Sequence, residues 1–563
     1  MRALTSMRPQ FVQSVVARAL IVPILLSAVP AGADSAGGDS LSRSLVVTTA
    51  PVSGSTLEKL GVTIGEIRIH NLDVFDTDLD AESGALYRLA NTLHIQTRPD
   101  IIRQQLLLDA GDVYAVQSIE ESERILRAND YLSSAEIRPV RLHGDVVDIE
   151  VVTEDSWSLS PSLSFSRKGG QNTGGFELED SNLLGSGSGI KVGYKSRLER
   201  DELFFGFHDR QLGASHTELM LGVADTSDGG SYEVIVQQPF YALDTRKAGG
   251  LRMRGFEQVD PLYSLGQPYR EVTHQAREIE AFFGWSDGLR QDHVVRWTAG
   301  LALDDHAFAA VDGSTPGLPE NRRDLYPFVG YEWVENRFET TRNADNLHVI
   351  EDRHLGTRIA ARLGYASEAL GSYDDAAIVS FSAHRGFKLS DRDTLLASLD
   401  AEARIGGARS SRSRIEGSLR YYRRQSDKRL LFAEAAVVSG RRQDSDEQIW
   451  LGGENGLRGY PVRYLNGDTI TLLTLEQRLF TDWYPFHLFR VGAAAFADAG
   501  KVLKSTPDEP GFRGWYRDVG AGLRIGSPRS SSGRMVHIDL AYPLDGPEDM
   551  RGWQLVIETR KSF

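Results

Sequence analysis

The stretch with the most concentrated chemistry is residues 451 to 460, Leu-Gly-Gly-Glu-Asn-Gly-Leu-Arg-Gly-Tyr, where one arginine stands among glycines between strand-like segments. Arg458 brings a permanent charge and five donors. Gly452, Gly453, Gly456 and Gly459 remove the Cβ clashes that would keep the backbone from turning tightly or approaching other groups closely. A loop of this kind can fold back into a confined space, and an arginine buried there needs a partner. The glycines also suit a phosphate cradle or an exposed turn, but no Gly-Lys-Ser/Thr follows them and no strand-to-helix context surrounds them. Nothing else signals catalysis. The 13 histidines are scattered, and His-Glu-x-x-His does not occur. The expectation is a protein that is not an enzyme and has no metal site or cofactor.

The elements that must position this loop are strands. From Trp157 onward apolar and polar residues alternate in segment after segment to the end of the chain, the signature of a transmembrane β-barrel. Trp157, Leu159, Pro161, Leu163 and Phe165 alternate with serines at 158, 160, 162, 164 and 166. Leu363 and Tyr365 oppose Arg358 and Arg362, and Leu395, Leu399 and Ile405 oppose Asp400, Glu402 and Arg404. An arginine turned toward lipid at mid-depth costs about 2–4 kcal/mol, so Arg358 and Arg362 face the lumen, which is polar and charged. A soluble β-sandwich also alternates, but its buried face is bulkier than these runs of Ala, Leu and Val. Trp553, Leu555, Ile557 and Phe563 share one parity of a terminal strand, a pattern that marks outer-membrane targeting. About 15 segments precede the glycine loop and five follow it.

Upstream of the barrel the composition changes. Residues 1–33 read as a secretory signal peptide: Arg2, Arg8 and Arg18, an apolar core from Ala19 to Val29, then Ala31-Gly32-Ala33 as the cleavage site. The absence of cysteine agrees with an oxidising periplasm, and the net charge of −15 argues against a nucleic-acid binder. Residues 34–61 read as a linker rich in Ser, Gly and Thr, and residues 62–154 as a small α/β module with the order strand, helix, helix, strand, strand. Its first helix starts at Pro99, with Gly111 as a natural stop, after an acidic stretch with a short helical signal near Leu86 to Leu93. Ser118-Ile119-Glu120-Glu121 fits a capping box for the second helix. Ala135 to Arg141 and Val146 to Val152 form the closing strands around Gly144-Asp145. The barrel then occupies residues 155–563.

Leu457-Arg458-Gly459-Tyr460, Phe496-Ala497-Asp498-Ala499-Gly500 and Asp180-Ser181-Asn182-Leu183-Leu184-Gly185 together make the chain resemble the bacterial surface antigen family. That family comprises the BamA/TamA-type assembly proteins of the outer membrane and the two-partner secretion transporters. The resemblance implies an all-β transmembrane barrel of about 16 antiparallel strands or more, with one periplasmic POTRA domain at 62–154. It implies that Arg458 meets Asp498 in the lumen, a lock completed by Leu457, Gly459, Tyr460, Phe496 and Gly500. It implies a lateral seam between first and last strands, marked here by Trp157, Pro161, Trp553 and Phe563. Proline cannot donate to a strand ladder, which suits a weak junction or a strand end at the rim. A client-binding edge falls at Ala135, Ile137 and Arg141, where an extended segment can add to the sheet unless neighbouring chain covers it. The expected activity is assembly, insertion or translocation at the outer membrane, with lipid, unfolded protein clients and a periplasmic or inner-membrane accessory protein as partners. Secretion of one dedicated partner is the alternative, disfavoured by the single module and the helix-poor linker; a passive channel would not need the module.

Overall fold

The computed structural model describes residues 53–311, 317–406, 411–444, 446–503, 514–530 and 533–560. The signal peptide expected at 1–33, most of the expected linker and Phe563 lie outside the described residues.

The N-terminal module begins earlier than the composition suggests. α1 (Gly54–Leu60) occupies the end of the stretch read as linker and buries Leu57. β1 (Thr63–Leu72), α2 (Ala85–Leu93), α3 (Pro99–Arg103), α4 (Val116–Arg127), β2 (Leu132–His143) and β3 (Val146–Asp155) follow. β3 lies in the middle of a three-stranded sheet, parallel to β1 and antiparallel to β2. Ile64, Ile102, Leu126, Ile149 and Val151 meet in one core between this sheet and the helices. Pro99 opens α3 as its fixed φ predicts, but that helix ends at Arg103, well before Gly111. The capping box at Ser118 does not form. α4 starts two residues earlier, and the amide of Val116 at its start donates to the Glu58 carboxylate of α1 (3.1 Å), so a neighbouring helix supplies the cap.

Twenty of the remaining described strands form one closed antiparallel barrel, and four more form two small two-stranded sheets. Fifteen precede the glycine loop and five follow it, the division that alternation alone indicates. The expectation of about 16 strands or more therefore resolves to the larger number, 20. The wall is uneven. β4 (Leu159–Lys168) and β5 (Gln171–Asp180) are short, whereas Gln267–Arg290 runs for 24 residues. Leu163, Leu363, Tyr365, Leu399, Leu475 and Leu523 are exposed on the outer surface. The opposite parity carries charge in pairs, including Arg362 to Glu280 (2.6 Å), Arg358 to Glu332 (2.6 Å) and Arg404 to Asp324 (3.0 Å).

The module sits at one end of the barrel and touches turns around its rim. Asn182 Nδ2 donates to Thr97 Oγ1 (2.8 Å), Arg210 to the Ala128 carbonyl (2.8 Å), and the Leu243 amide to Glu121 (2.7 Å). On the other side Tyr87 Oη donates to the Phe486 carbonyl (2.9 Å), and Arg529 pairs with Glu82 (2.7 Å). Asp155, the last residue of β3, fixes the passage into the barrel: its buried carboxylate accepts from the Thr97 amide (2.8 Å) and Asn71 (2.9 Å) and meets His94 Nε2 (2.8 Å).

Candidate functional site

Two segments enter the barrel from opposite ends. From the end away from the module comes the glycine loop, bounded by the short paired strands Ile449–Leu451 and Leu465–Gly467. Leu457 and Tyr460 at its tip are wholly buried, and they pack with Leu451, Leu465 and Tyr516. Leu457 also lies against Gly500 of the wall, where a Cβ would come within 3.0 Å of its side chain. The loop passes over the turn between β4 and β5 so closely that a Cβ on Gly169 would sit 2.2 Å from the Val462 nitrogen. Gly169 is also in the left-handed region, at φ +49°, so both its neighbours and its backbone demand glycine.

Arg458 is held on every side. Its Nε and Nη2 donate to the two oxygens of Asp498 (2.8 and 3.1 Å), its Nη1 donates to Glu476 Oε2 (3.0 Å), and its guanidinium carbon lies 3.3 Å from the centre of the Phe496 ring. Asp498 is directly opposite Asp518 in the cross-strand register, a like-charge juxtaposition that disfavours the wall unless a cation is near. Arg458 supplies that cation, and the next amide, of Gly459, donates to Asp518 Oδ2 (3.1 Å). Tyr460 Oη donates to the carbonyls of Arg517 (2.8 Å) and Asp545 (3.2 Å), pinning the loop to the wall beyond the charge cluster. All seven residues of the expected lumenal set thus converge, with Arg458 and Asp498 in bidentate contact.

Sequence reading missed the other half of the cluster. Glu476 and Arg478 lie on the inward parity of the strand Thr469–Phe480, whose Leu473, Leu475 and Leu479 face outward. Glu476 gives Oε2 to Arg458 and Oε1 to Arg478 Nε (2.9 Å). Arg478 in turn donates to the Ala344 carbonyl (2.6 Å) and to Asp345 (3.0 Å). Those two residues belong to the second inserted segment, a hairpin of Phe338–Arg342 and Ile350–His354 that enters from the module end. Its tip packs Ala344 and Leu347 among Leu396, Tyr422, Phe432 and Phe480. Its base is gripped by α4, where Arg127 makes a bidentate pair with Asp352 (2.8 and 2.9 Å). The parity of Glu476 and Arg478 is the signal that would have found them, by the reasoning that turned Arg358 and Arg362 inward.

Of the seam set, the described Trp157, Pro161 and Trp553 lie apart. β4 and the last strand, Gln554–Arg560, share one register pair among the described residues, Ile557 with Arg167, supplemented by an ion pair of Lys168 with Glu558 (2.6 Å). Neighbouring strands elsewhere in the wall share seven or more pairs. Pro161 lies in β4 opposite Leu178 of β5. Trp157 precedes β4 at the module end, where its amide donates to the Arg529 carbonyl (2.7 Å), whereas Trp553 stands at the far end beside Tyr542. The two strands are antiparallel, so residues that open each of them lie at opposite rims.

The expected client edge is an edge strand, since among the described residues β2 pairs only with β3. Its backbone is not wholly free. The Ala135 carbonyl accepts from Arg127 (3.0 Å) and the Ile137 amide donates to Glu123 (2.7 Å), both side chains of α4, and the side chains of Ala135 and Ile137 are buried. Arg141, farther along, is exposed and pairs with Asp148 (2.9 Å).

Both lumenal motifs fall within one recognisable stretch of sequence. Residues 385–560 match the Omp85 superfamily domain. The resemblance carried by Leu457–Tyr460 and Phe496–Gly500 is thereby borne out over that stretch. Among solved structures, the chain is similar to BamA from Haemophilus ducreyi lacking POTRA domains 1–3, at 11% identity and a TM-score of 0.42, covering 89% of this chain and 84% of that one. It is also similar to CdiB from Acinetobacter baumannii (12% identity, TM-score 0.45, 89% and 73% covered) and CdiB from Escherichia coli (12%, 0.38, 92% and 93%). No curated protein matches the chain significantly.

Proposed function

We propose that this Omp85 protein is a non-enzymatic insertion or translocation factor of the outer membrane. Residues 53–155 act as its single periplasmic POTRA domain, and the glycine loop descends from the outer side. The observation that carries this reading is the inserted loop itself, with Arg458 held by Asp498 and Glu476 inside the matched domain. A charged, bidentate clasp at the tip of a lumenal loop suits a barrel that changes shape around a client, because one contact both braces the loop and can release it. The clasp serves as the lock, and the thinly paired junction of β4 with Gln554–Arg560 serves as the seam that yields. The partners are outer-membrane lipid, an unfolded protein client and an accessory protein on the periplasmic side.

Client capture uses the outer edge of β2 by strand addition. An incoming strand there displaces Glu123 and Arg127 from Ile137 and Ala135, which frees the side chain that also holds Asp352 of the inserted hairpin. The test is depletion of the protein followed by complementation with the full chain or with a chain lacking residues 53–155. Restored outer-membrane and secreted protein content with the full chain alone is expected. An unchanged protein content on depletion, or full rescue without the module, refutes the reading.

A further inference from the structure

The helix α2 is built inside out. The side chains it turns toward the protein make polar contacts: Asn91 bonds both the amide (3.1 Å) and the carbonyl (2.8 Å) of Phe75, and Tyr87 Oη reaches the Phe486 carbonyl of the barrel (2.9 Å). His94, at its C-terminal end, meets the buried carboxylate of Asp155 (2.8 Å). Leu86, Leu89 and Leu93, spaced three and four apart along the opposite face, are 66%, 54% and 67% exposed, and none of the helix's residues is buried. Ile95, just beyond the helix, and Leu79, just before it, are exposed as well. A helix in water shows the reverse arrangement, with its apolar stripe against the core.

The surface next to this helix identifies what covers it. Phe486 belongs to the turn that follows the strand Thr469–Phe480, whose Leu473, Leu475 and Leu479 form part of the outward apolar wall. That wall continues into Trp483 and Phe486, 64% and 74% exposed, and Phe489, an aromatic cluster at the rim of the kind that marks a membrane boundary. The Tyr87 bond joins α2 to this cluster, so the leucines of the helix prolong the barrel's lipid-facing surface past its rim. We propose that α2 is an in-plane membrane anchor: its Leu86, Leu89 and Leu93 face lies in the phospholipid leaflet on the module side and ties the module to the bilayer as well as to the barrel. Amphipathic helices of this kind bury their apolar face at the boundary of headgroups and acyl chains. The proposal needs a barrel that spans a bilayer and holds whether or not the barrel moves a client.

The absence of native cysteine makes the test direct. Single cysteines replacing Leu89, Leu475 (outer wall) and Asp145 (the exposed β2–β3 turn) carry a nitroxide label in the full chain, reconstituted in phosphatidylethanolamine/phosphatidylglycerol vesicles. Collision with oxygen, which partitions into lipid, is compared with collision with a water-soluble nickel chelate. The label at Leu89 is expected to follow Leu475, with oxygen dominant, and to shift to the behaviour of Asp145 when Leu86 and Leu93 are both changed to Asp. Water-like behaviour at Leu89 in the otherwise native chain overturns the proposal. Shielding from both reagents overturns it too, since that signals cover by protein, whether a second copy or another segment of this chain.

Discussion

Replacing Arg458 by alanine removes the cation that three carboxylates surround. Asp498 and Glu476 lie 2.8 and 3.0 Å from its nitrogens, Asp539 lies 3.8 Å away, and Asp498 and Asp518 stand opposite each other across the strands. Glu476 keeps Arg478, but Asp498 loses both bonds of a bidentate pair. Breaking a buried pair by removing one partner costs about 3–5 kcal/mol. At about 1.4 kcal/mol per decade this raises the population of the withdrawn loop by roughly two to three and a half decades. A cysteine replacing the wholly buried Leu457 reports that population through its rate of alkylation by a membrane-impermeant maleimide in proteoliposomes. The expected order of rates is Arg458→Ala fastest, Arg458→Lys intermediate because it keeps the charge and loses the fork, and native slowest. The double change Arg458→Ala/Asp498→Ala should cost less than the sum of the single ones, since it removes the stranded carboxylate. A rate within about threefold of native for Arg458→Ala, or strict additivity in the cycle, refutes the view that this pair holds the loop in place.

Cysteines at Arg167 and Ile557, the one register pair of the seam among the described residues, should form a disulfide on mild oxidation and abolish activity in complementation, with recovery on reduction; full activity of the locked barrel argues against lateral opening. Gly459→Ala would place a Cβ 2.9 Å from Asp518 Cβ and 3.0 Å from the Pro543 nitrogen, so a loss of about 1–3 kcal/mol is expected, read as an earlier mobility shift on heating in a gel; an unshifted transition counts against the close approach. Burial raises the Glu121 carboxyl above its ordinary range, although the Leu243 amide bonded to it pulls the other way. A raised folded value means that the charged form costs stability near neutrality and that the cost fades as pH falls through that value. The native chain should therefore gain on Glu121→Gln in relative stability as pH is lowered from neutrality toward the ordinary carboxylate range, and melting curves that stay parallel over that descent would contradict the assignment.

Alternation was enough to find the wall, because a lipid face and a wet face impose a period of two on every strand that crosses the bilayer. It marked about 15 segments before the loop and five after it, and the wall has 15 and five strands there. The resemblance, by contrast, drew the number toward 16. The contact of Arg458 with Asp498 was legible because both sit in short, glycine-marked motifs. The hairpin at 338–354 was not: a segment that enters a lumen satisfies its backbone within itself, and its two five-residue strands read like any loop hairpin. The capping box at Ser118 misled because Glu58, far away in sequence, already serves the Val116 amide. Parity places Trp157 and Trp553 on a face but says nothing of their height along the barrel, which the strand directions set at opposite rims.

Glu476 divides its two oxygens between arginines that answer to different segments, Arg458 of the glycine loop and Arg478, which holds the hairpin tip. Withdrawal of either segment changes the charge felt by the other through one carboxylate. Linkage makes this reciprocal: a ligand that draws the hairpin toward the periplasm alters the loop's hold by the same factor that a ligand on the loop alters the hairpin's. With Arg127 of the module clamped on the hairpin's base, one chain of ion pairs runs from the module to the glycine loop.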